Sequence, residues 1–224
     1  MTKKMEIYYI ENAGTDDCFA NLCSDMDKGM WGFGTPTPTY GWLVEDPNQF
    51  WWADMVGNRW HEVVFQNVQD KLEKMVPHVK NYIFKLINSQ AIGKTPGLDG
   101  SIHVDHDFEF NERGDGYMTA CYFPNKEWEL EWGGELQFFD KDTGEVIATF
   151  FPMPNSCVIF DSNIPHRGLA PRGVNKLRKA VTMKLQVHKM WDVSDSLNFT
   201  PVSEKSLAEI RGVIGNSETN DEQG

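Results

Sequence analysis

The run Cys157-Val-Ile-Phe-Asp-Ser-Asn-Ile-Pro-His-Arg-Gly-Leu169 holds two short apolar stretches separated by a polar turn and a proline. The same texture extends over the chain after about residue 87, where strand-like runs alternate with turns that contain Gly and Pro. Many short, evenly spaced strands are typical of an antiparallel sandwich or barrel. The predicted strands are residues 101–106, 117–123, 134–139, 146–151, 157–160, 164–169 and 179–187.

Helical patterns dominate the first part of the chain, after a short predicted strand at residues 5–10. Residues 15–28 predict a helix that begins at one of the polar residues 15–17. Apolar residues recur at three- and four-residue steps over 60–86, which predicts an amphipathic helical run that Pro77 splits or kinks. We therefore expect a mainly β fold with flanking helices, in which an N-terminal helical layer packs on one sheet.

The length of 224 residues fits one domain followed by a tail. We expect the domain to cover residues 1–202, with helical support up to about residue 87 and the β core at about 87–190. Residues 203–224 form the expected tail, a short helix followed by a polar, disordered end.

Charge and cysteine content narrow the function classes. A net charge of −12, with no basic stripe, argues against binding to DNA or RNA. No apolar run approaches the ~18 residues that a membrane span requires, and the first residues lack the apolar region of a signal peptide. The four cysteines form no C-x-x-C pair, so we expect free, buried thiols. Together these features predict a soluble, cytoplasmic protein.

Two histidines and an aspartate form a candidate metal site. His103 and Asp105 lie two residues apart in a predicted strand, so their side chains project from one face. His166 follows in a later predicted strand and supplies a second imidazole. Such a set holds one face of iron(II) and leaves its other positions open. The neighbouring His106 and Asp107 are a less favoured pair, because adjacent strand residues point to opposite faces.

A basic residue beyond the distal histidine suits a ligand that carries a carboxylate. Arg178 lies twelve residues after His166, and a guanidinium offers two parallel donors to a carboxylate. Lys176, two residues earlier on the same predicted face, is the alternative. Iron, an acidic co-substrate and open coordination positions together indicate oxygen activation.

Several short motifs follow one another in a recognisable order: His103-Val-Asp105, Cys121-Tyr-Phe-Pro-Asn-Lys-Glu-Trp128, Gly133-Gly-Glu-Leu136, Val158-Ile-Phe160, His166 and Arg178-Lys-Ala-Val-Thr182. With these motifs, the segment from Gly97 to Leu185 resembles the iron(II)/2-oxoglutarate-dependent dioxygenases, and within them the prolyl 4-hydroxylase-like branch. The resemblance implies a double-stranded β-helix, or jelly roll, of the cupin-like kind. It also implies Fe(II) and 2-oxoglutarate as cofactor and co-substrate, with L-ascorbate as a further candidate.

The resemblance assigns roles to residues that match the family's motifs. It makes His103, Asp105 and His166 the iron ligands and Arg178 the residue that binds the distal carboxylate of 2-oxoglutarate. Thr182 would project into the same cavity and hydrogen-bond the co-substrate.

The family's tyrosine contact to 2-oxoglutarate falls on Phe123 in this chain, and a shift of one residue would assign that contact to Tyr122. The amides of Gln90 and Asn88 are alternative hydrogen-bonding partners, although a plain polar strand end explains them equally well.

The expected reaction is hydroxylation of a C–H bond, with conversion of 2-oxoglutarate and O2 to succinate and CO2. Because Asp105 supplies a carboxylate, the resemblance favours hydroxylation over halogenation. A peptidyl proline is the favoured substrate, since the aromatic loop at residues 31–42 suits an extended, proline-rich chain.

Two other functions stay open: an oxygenase of a free amino acid or other small metabolite, and a non-catalytic cupin-like metal-binding module. The expected partner is therefore a peptide or protein substrate, or a small molecule, with no nucleic acid and no membrane. The chain is expected to be a monomer or a homodimer.

Overall fold

The computed structural model describes residues 6–34, 50–55, 59–111 and 114–190. The chain divides into one unit, Met1–Lys189, and a second unit, Met190–Gly224, of which only Met190 is described. The helix and tail expected after residue 203 lie outside the described residues, and the domain end at residue 202 stays a prediction. None of the described helices is long and apolar enough to cross a membrane.

Two antiparallel sheets and two α-helices make up the described part of the chain. The elements are β1 (Ile7–Ile10), α1 (Asp16–Lys28), β2 (Gly32–Gly34), β3 (Phe50–Asp54), α2 (Arg59–Met75), β4 (Tyr82–Lys94), β5 (Gly116–Phe123), β6 (Leu136–Phe139), β7 (Val146–Phe150), β8 (Ser156–Asp161), β9 (His166–Gly168) and β10 (Arg178–Lys189). The larger sheet has the order β1-β8-β5-β10-β4-β3-β2, and the smaller sheet has the order β7-β6-β9. The predicted mainly β fold is confirmed.

The larger sheet has a different neighbour on each face. One face packs against both helices in a core that includes Leu22 of α1, Leu72 of α2 and Met183 of β10. The other face meets the smaller sheet in a second core, where Phe138 of β6 packs on Phe160 of β8 with ring centroids 4.7 Å apart. The predicted helical layer on one sheet is therefore confirmed.

Helix α1 begins as its sequence indicates. Thr15 is the N-cap, and its hydroxyl accepts a hydrogen bond from the Cys18 amide at 3.3 Å. Asp16 and Asp17 in the first turn and Lys28 in the last turn complement the helix dipole. All four cysteines of the chain are free and buried, as predicted.

The helix predicted to continue to residue 86 ends at Met75, and that part of the prediction is wrong. A 3-10 turn, Pro77–Asn81, follows, and β4 begins at Tyr82. Pro77 has no amide proton to continue the helical ladder. Apolar residues in the segment after it alternate with polar ones instead, and β4 pairs with β10 along its length. Helical support therefore ends before the expected boundary near residue 87.

Two further assignments differ from the sequence prediction. Residues 101–106 form no strand, and their one ladder contact is an isolated bridge between His103 and His166. In the predicted loop at 31–42, Gly32–Gly34 pairs with Phe50–Trp52 as β2. Residues 35–42 of that loop lie outside the described residues.

We expect Leu72→Ala to lower the free energy of unfolding by about 2–5 kcal/mol, because Leu72 is only 2% exposed and its loss leaves a cavity between α2 and the sheet. Val63→Ala on the same helix, at a position 37% exposed, is the matched control and should cost less than about 1 kcal/mol. Urea unfolding measures both. Equal effects of the two substitutions would contradict the packing of α2 described above.

Candidate active site

One pair of backbone hydrogen bonds joins the two histidines of the predicted metal site. The His103 amide donates to the His166 carbonyl at 3.0 Å, and the His166 amide donates to the His103 carbonyl at 2.9 Å. The pairing places the two imidazole centroids 4.5 Å apart. The Asp105 amide then donates to the Ser162 carbonyl at 2.9 Å, which fixes the aspartate beside both histidines.

The three side chains offer one ligand atom each, all within 4.8 Å of one another. Nε2 of His103 lies 3.6 Å from Oδ1 of Asp105, and Nε2 of His166 lies 3.5 Å from Oδ2. Each Nδ1 faces a backbone carbonyl, Ser101 for His103 at 3.0 Å and Ile164 for His166 at 2.8 Å. A carbonyl only accepts, so Nδ1 carries the proton and Nε2 presents its lone pair. This donor set fits iron(II).

The protonation states suit a metal ligand set. Burial lowers the pKa of His166 to about 4, so its imidazole is neutral at pH 7. The nearby Asp105 carboxylate raises the pKa of His103, whose side chain is 48% exposed at the edge of the site. Burial by itself would raise the pKa of Asp105, but the His103 imidazole and the nearby Lys184 charge hold it well below its usual range. Asp105 is therefore an anion at neutral pH.

Two neighbours hold the Asp105 carboxylate. The Thr119 hydroxyl donates to Oδ2 at 2.7 Å and lies 2.9 Å from the Ser162 hydroxyl. The Lys184 ammonium forms an ion pair with the same oxygen. His106 instead stacks on Tyr117 with ring centroids 3.8 Å apart, so the less favoured His106 pair forms no part of the metal site.

A cavity of about 380 Å³ opens beside the three ligands. Alternate residues of β10 form one wall, because successive strand side chains point to opposite faces. The lining residues are Phe50, Gln90, Ile92, Lys94, Gly100, His103, Asp105, Cys121, Leu136, His166, Gly168, Arg178, Ala180, Thr182 and Lys184.

Arg178 is the more deeply buried of the two candidate anion-binding residues. Its Nε donates to the Gly134 carbonyl at 2.6 Å, and its guanidinium lies 5.2 Å from the Phe123 ring centroid. Burial lowers the pKa of Arg178 to about 10, which leaves it cationic at neutral pH. The alternative, Lys176, pairs with Glu127 and lies outside the cavity lining.

The other predicted co-substrate residues are divided between the cavity and the surface. Thr182 and Gln90 both line the cavity, and the Thr182 hydroxyl donates to the Gln90 carbonyl at 3.3 Å. Asn88 is exposed on β4 and is not part of the lining, so the structure gives it no contact with a ligand in this cavity.

The predicted contact of Tyr122 with the co-substrate is wrong. Tyr122 is fully buried in the core beside the helices, on the opposite face of β5 from Cys121, which lines the cavity. Its hydroxyl donates to Oδ1 of Asn155 at 2.7 Å, and Asn155 also bonds both backbone groups of Gly14 at 2.8 and 3.0 Å. Tyr122 therefore fastens the start of α1 to the sheet.

Three polar residues of the site were not predicted from the sequence: Lys94, Thr119 and Lys184. Lys94 shares a strand face with Gln90, and Lys184 shares one with Thr182. Two-residue steps from those two predicted residues reach both lysines only once β4 and β10 are known to be strands. No sequence signal pointed to Thr119, because its partner Asp105 belongs to a segment that does not form a regular strand.

Comparison with known proteins gives a family for this site. Residues 94–185, which contain all three ligands and Arg178, match the family model of the 2OG-Fe(II) oxygenase superfamily. Among curated protein sequences, none matches the chain.

Solved structures share the fold at low sequence identity. A Pseudomonas putida prolyl-4-hydroxylase superposes with a TM-score of 0.51 and 16% identity, covering 84% of this chain and 95% of that one. A Trichoplax adhaerens prolyl hydroxylase, in complex with a hypoxia inducible factor peptide, gives 0.56 and 16%, covering 82% and 83%. The non-heme alpha-ketoglutarate-dependent epimerase SnoN from nogalamycin biosynthesis gives 0.59 and 10%, covering 88% and 87%.

We expect Thr119→Val to weaken binding of iron(II) or manganese(II) by about 10–100-fold, because the hydrogen bond that orients Asp105 is lost. Isothermal titration under anaerobic conditions measures the affinity. Thr149→Val on exposed β7 is the control and should leave it unchanged. Unchanged affinity in Thr119→Val would contradict an orienting role for Thr119.

We expect Tyr122→Phe to lower the free energy of unfolding by about 1 kcal/mol, because a buried hydrogen bond to Asn155 is removed. Binding of 2-oxoglutarate should stay unchanged, since the ring lies outside the cavity. Denaturant unfolding and ligand titration check the two halves. A loss of 2-oxoglutarate affinity without a loss of stability would show that Tyr122 contacts 2-oxoglutarate after all.

Proposed function

We propose, since this chain is a member of the 2OG-Fe(II) oxygenase superfamily, that it hydroxylates a peptidyl proline and converts 2-oxoglutarate and O2 to succinate and CO2. The observation that carries the proposal is the set of three ligands opening into a cavity that contains the buried cation of Arg178. Iron(II), when bound, supplies the dioxygen chemistry, while the protein provides binding, orientation and charge.

Each site residue has a task in this proposal. His103, Asp105 and His166 hold the metal through two neutral imidazoles and one carboxylate. Arg178 binds the distal carboxylate of 2-oxoglutarate with its two terminal nitrogens, because Nε is already engaged by Gly134. Thr182 and Gln90 hydrogen-bond the co-substrate in this proposal, which their position in the cavity lining supports.

Exposed apolar side chains on the chain segment that carries two of the ligands support a peptide substrate. Ile102 and Phe108, which flank the segment with the two ligands, are 50% and 70% exposed. Phe108 lies beside His106, which stacks on Tyr117, so these three rings form one aromatic cluster. Extended, proline-containing chains bind to aromatic surfaces of this kind. The prolyl hydroxylase from Trichoplax adhaerens is itself a peptide complex.

A small anionic metabolite is the second candidate substrate, and Lys184 is the observation that favours it. Its ammonium lines the cavity beside the metal ligands, and its side chain is 31% exposed. A cation at that place suits a substrate with its own carboxylate, such as a free amino acid. SnoN, which shares the fold, is named for a step in nogalamycin biosynthesis.

The remaining expectations belong to the same proposal. L-ascorbate is proposed as an accessory reductant, and the protein is proposed to act as a monomer or homodimer. Four free, buried thiols support a location in the reducing cytoplasm.

The experiment offers the full chain, with iron(II), 2-oxoglutarate and O2, a panel of proline-containing peptides and a panel of free amino acids. We expect succinate release that depends on peptide, together with a mass gain of one oxygen on proline. His166→Ala should abolish both, because a metal ligand is lost. His188→Ala is the matched control and should keep turnover, because His188 pairs with Asp115 and lies outside the metal site.

The other outcomes separate the candidates. Hydroxylation of a free amino acid with no peptide turnover would replace the peptide proposal by the small-molecule one. Lys184→Met should then lower kcat/KM for the free amino acid, because the cation that faces the substrate carboxylate is lost. Metal binding without any affinity for 2-oxoglutarate would leave a non-catalytic metal-binding module.

A further inference from the structure

Two buried cations, Lys94 and Arg178, line the cavity, and the contacts described for them neutralise neither charge. Lys94 is 6% exposed and Arg178 is 3% exposed. The Lys94 ammonium donates to the Leu98 carbonyl at 3.1 Å, and Arg178 donates through Nε to the Gly134 carbonyl. In the described part of the chain, no carboxylate forms an ion pair with either of them.

The nearest acidic groups have other partners. Glu135, which acts on Arg178 through space, pairs with Arg172. Asp99, which acts on Lys94 through space, accepts the Ala170 amide at 2.7 Å. Burying a charge without a direct partner costs free energy that a bound anion would offset.

The side chains of the two cations meet beside Gly168. A methyl group placed on Gly168 would lie 3.6 Å from both terminal nitrogens of Arg178 and 3.6 Å from Cε of Lys94. One placed on Gly100 would lie 3.3 Å from the Lys94 ammonium nitrogen. Both glycines line the cavity, so the space between the two cations stays open to a ligand.

We propose that Lys94 is a second cationic anchor for the distal carboxylate of 2-oxoglutarate, which it binds together with Arg178. The inference rests on the proposed function, since it concerns the co-substrate of that reaction. Arg178 contributes a planar pair of donors, and Lys94 contributes a compact charge from the neighbouring strand β4. In this proposal Lys94 makes the second contact to the co-substrate, which the sequence predicted for Tyr122. The Tyr122 hydroxyl lies in the core beside the helices.

The pair also makes co-substrate binding depend on pH. Burial and the charge of Arg178 lower the pKa of Lys94 to about 8, while Asp99 acts in the opposite direction. The other neighbours that define its surroundings carry no titratable side chain: the Phe50 ring from β3, Gly100 from the loop and Gly168 from β9. The anion binds the protonated form of Lys94. Affinity is therefore fully present at lower pH and falls as pH rises through about 8.

The experiment measures the Kd of 2-oxoglutarate by titration calorimetry on the full chain loaded with manganese(II), without turnover. We expect Lys94→Met to raise this Kd by about 10–100-fold, because a charge-assisted contact is lost. Arg178→Met should raise it at least as much. Lys176→Met is the control, since Lys176 lies outside the cavity and pairs with Glu127.

A second ligand separates binding from a structural role. 2-Oxopentanoate keeps the keto acid of 2-oxoglutarate and lacks the distal carboxylate, so its Kd should not change in Lys94→Met. The wild-type Kd of 2-oxoglutarate should rise between about pH 7 and about pH 9, and that of 2-oxopentanoate should rise less. The manganese(II) affinity of Lys94→Met should equal that of the wild type, which shows an intact metal site.

The inference is overturned if Lys94→Met binds 2-oxoglutarate as tightly as wild type, or if it loses both keto acids equally. If Lys94→Met does not fold, the wild-type protein decides, because an affinity for 2-oxoglutarate that is independent of pH overturns the inference as well. Failure of the proposed function looks different: the wild type would then hydroxylate no peptide, or, without 2-oxoglutarate chemistry, its manganese-loaded form would bind no 2-oxoglutarate at all.

Discussion

The two backbone hydrogen bonds between His103 and His166 are the constraint on which the site depends. They join a segment without regular structure to β9, which in turn pairs with β6 at Phe138. The bridge to His166 therefore fixes the position of His103 relative to the smaller sheet. Without these two hydrogen bonds, Thr119 would still hold the Asp105 carboxylate beside His166, but the His103 imidazole would have no fixed position.

Strand β10 makes the rest of the cavity, because its two faces serve two different layers. Val181, Met183 and Leu185 point into the core beside the helices. Residues at the alternate positions, from Arg178 to Lys184, point into the cavity. The helices thus anchor the strand through one face while the other stays available for ligands. The neighbouring strand β5 is divided in the same way. Cys121 faces the cavity, and Tyr122, one residue later, therefore faces the core beside the helices.

The sequence predicted those parts of the site in which regular structure and residue type agree. The spacing of His103 and Asp105, the distal His166 and the later Arg178 were sufficient to identify the metal set and a buried cation that lines the same cavity. The expected strand at 101–106 was wrong although the ligand choice held, since one bridge replaces a full ladder.

Lys94 was missed for a different reason. It lies in a strand whose first half follows a run with helical spacing. Local periodicity could not show that Pro77 separates a helix from a strand, because residues 79–86 fit both patterns until β10 pairs with them. Pairing partners distant in sequence decide such cases.

The cavity is lined by more cations than anions, although the whole chain is acidic. The protein carries a net charge of −12, yet Lys94, Arg178 and Lys184 line the cavity with Asp105 as their acidic counterpart among its lining residues. Lys184 follows Arg178 by six strand positions, roughly 20 Å along an extended strand. One small anion cannot contact both of these cations. Lys94 and Arg178 therefore act as one cationic group, and Lys184 is a separate cation beside Asp105.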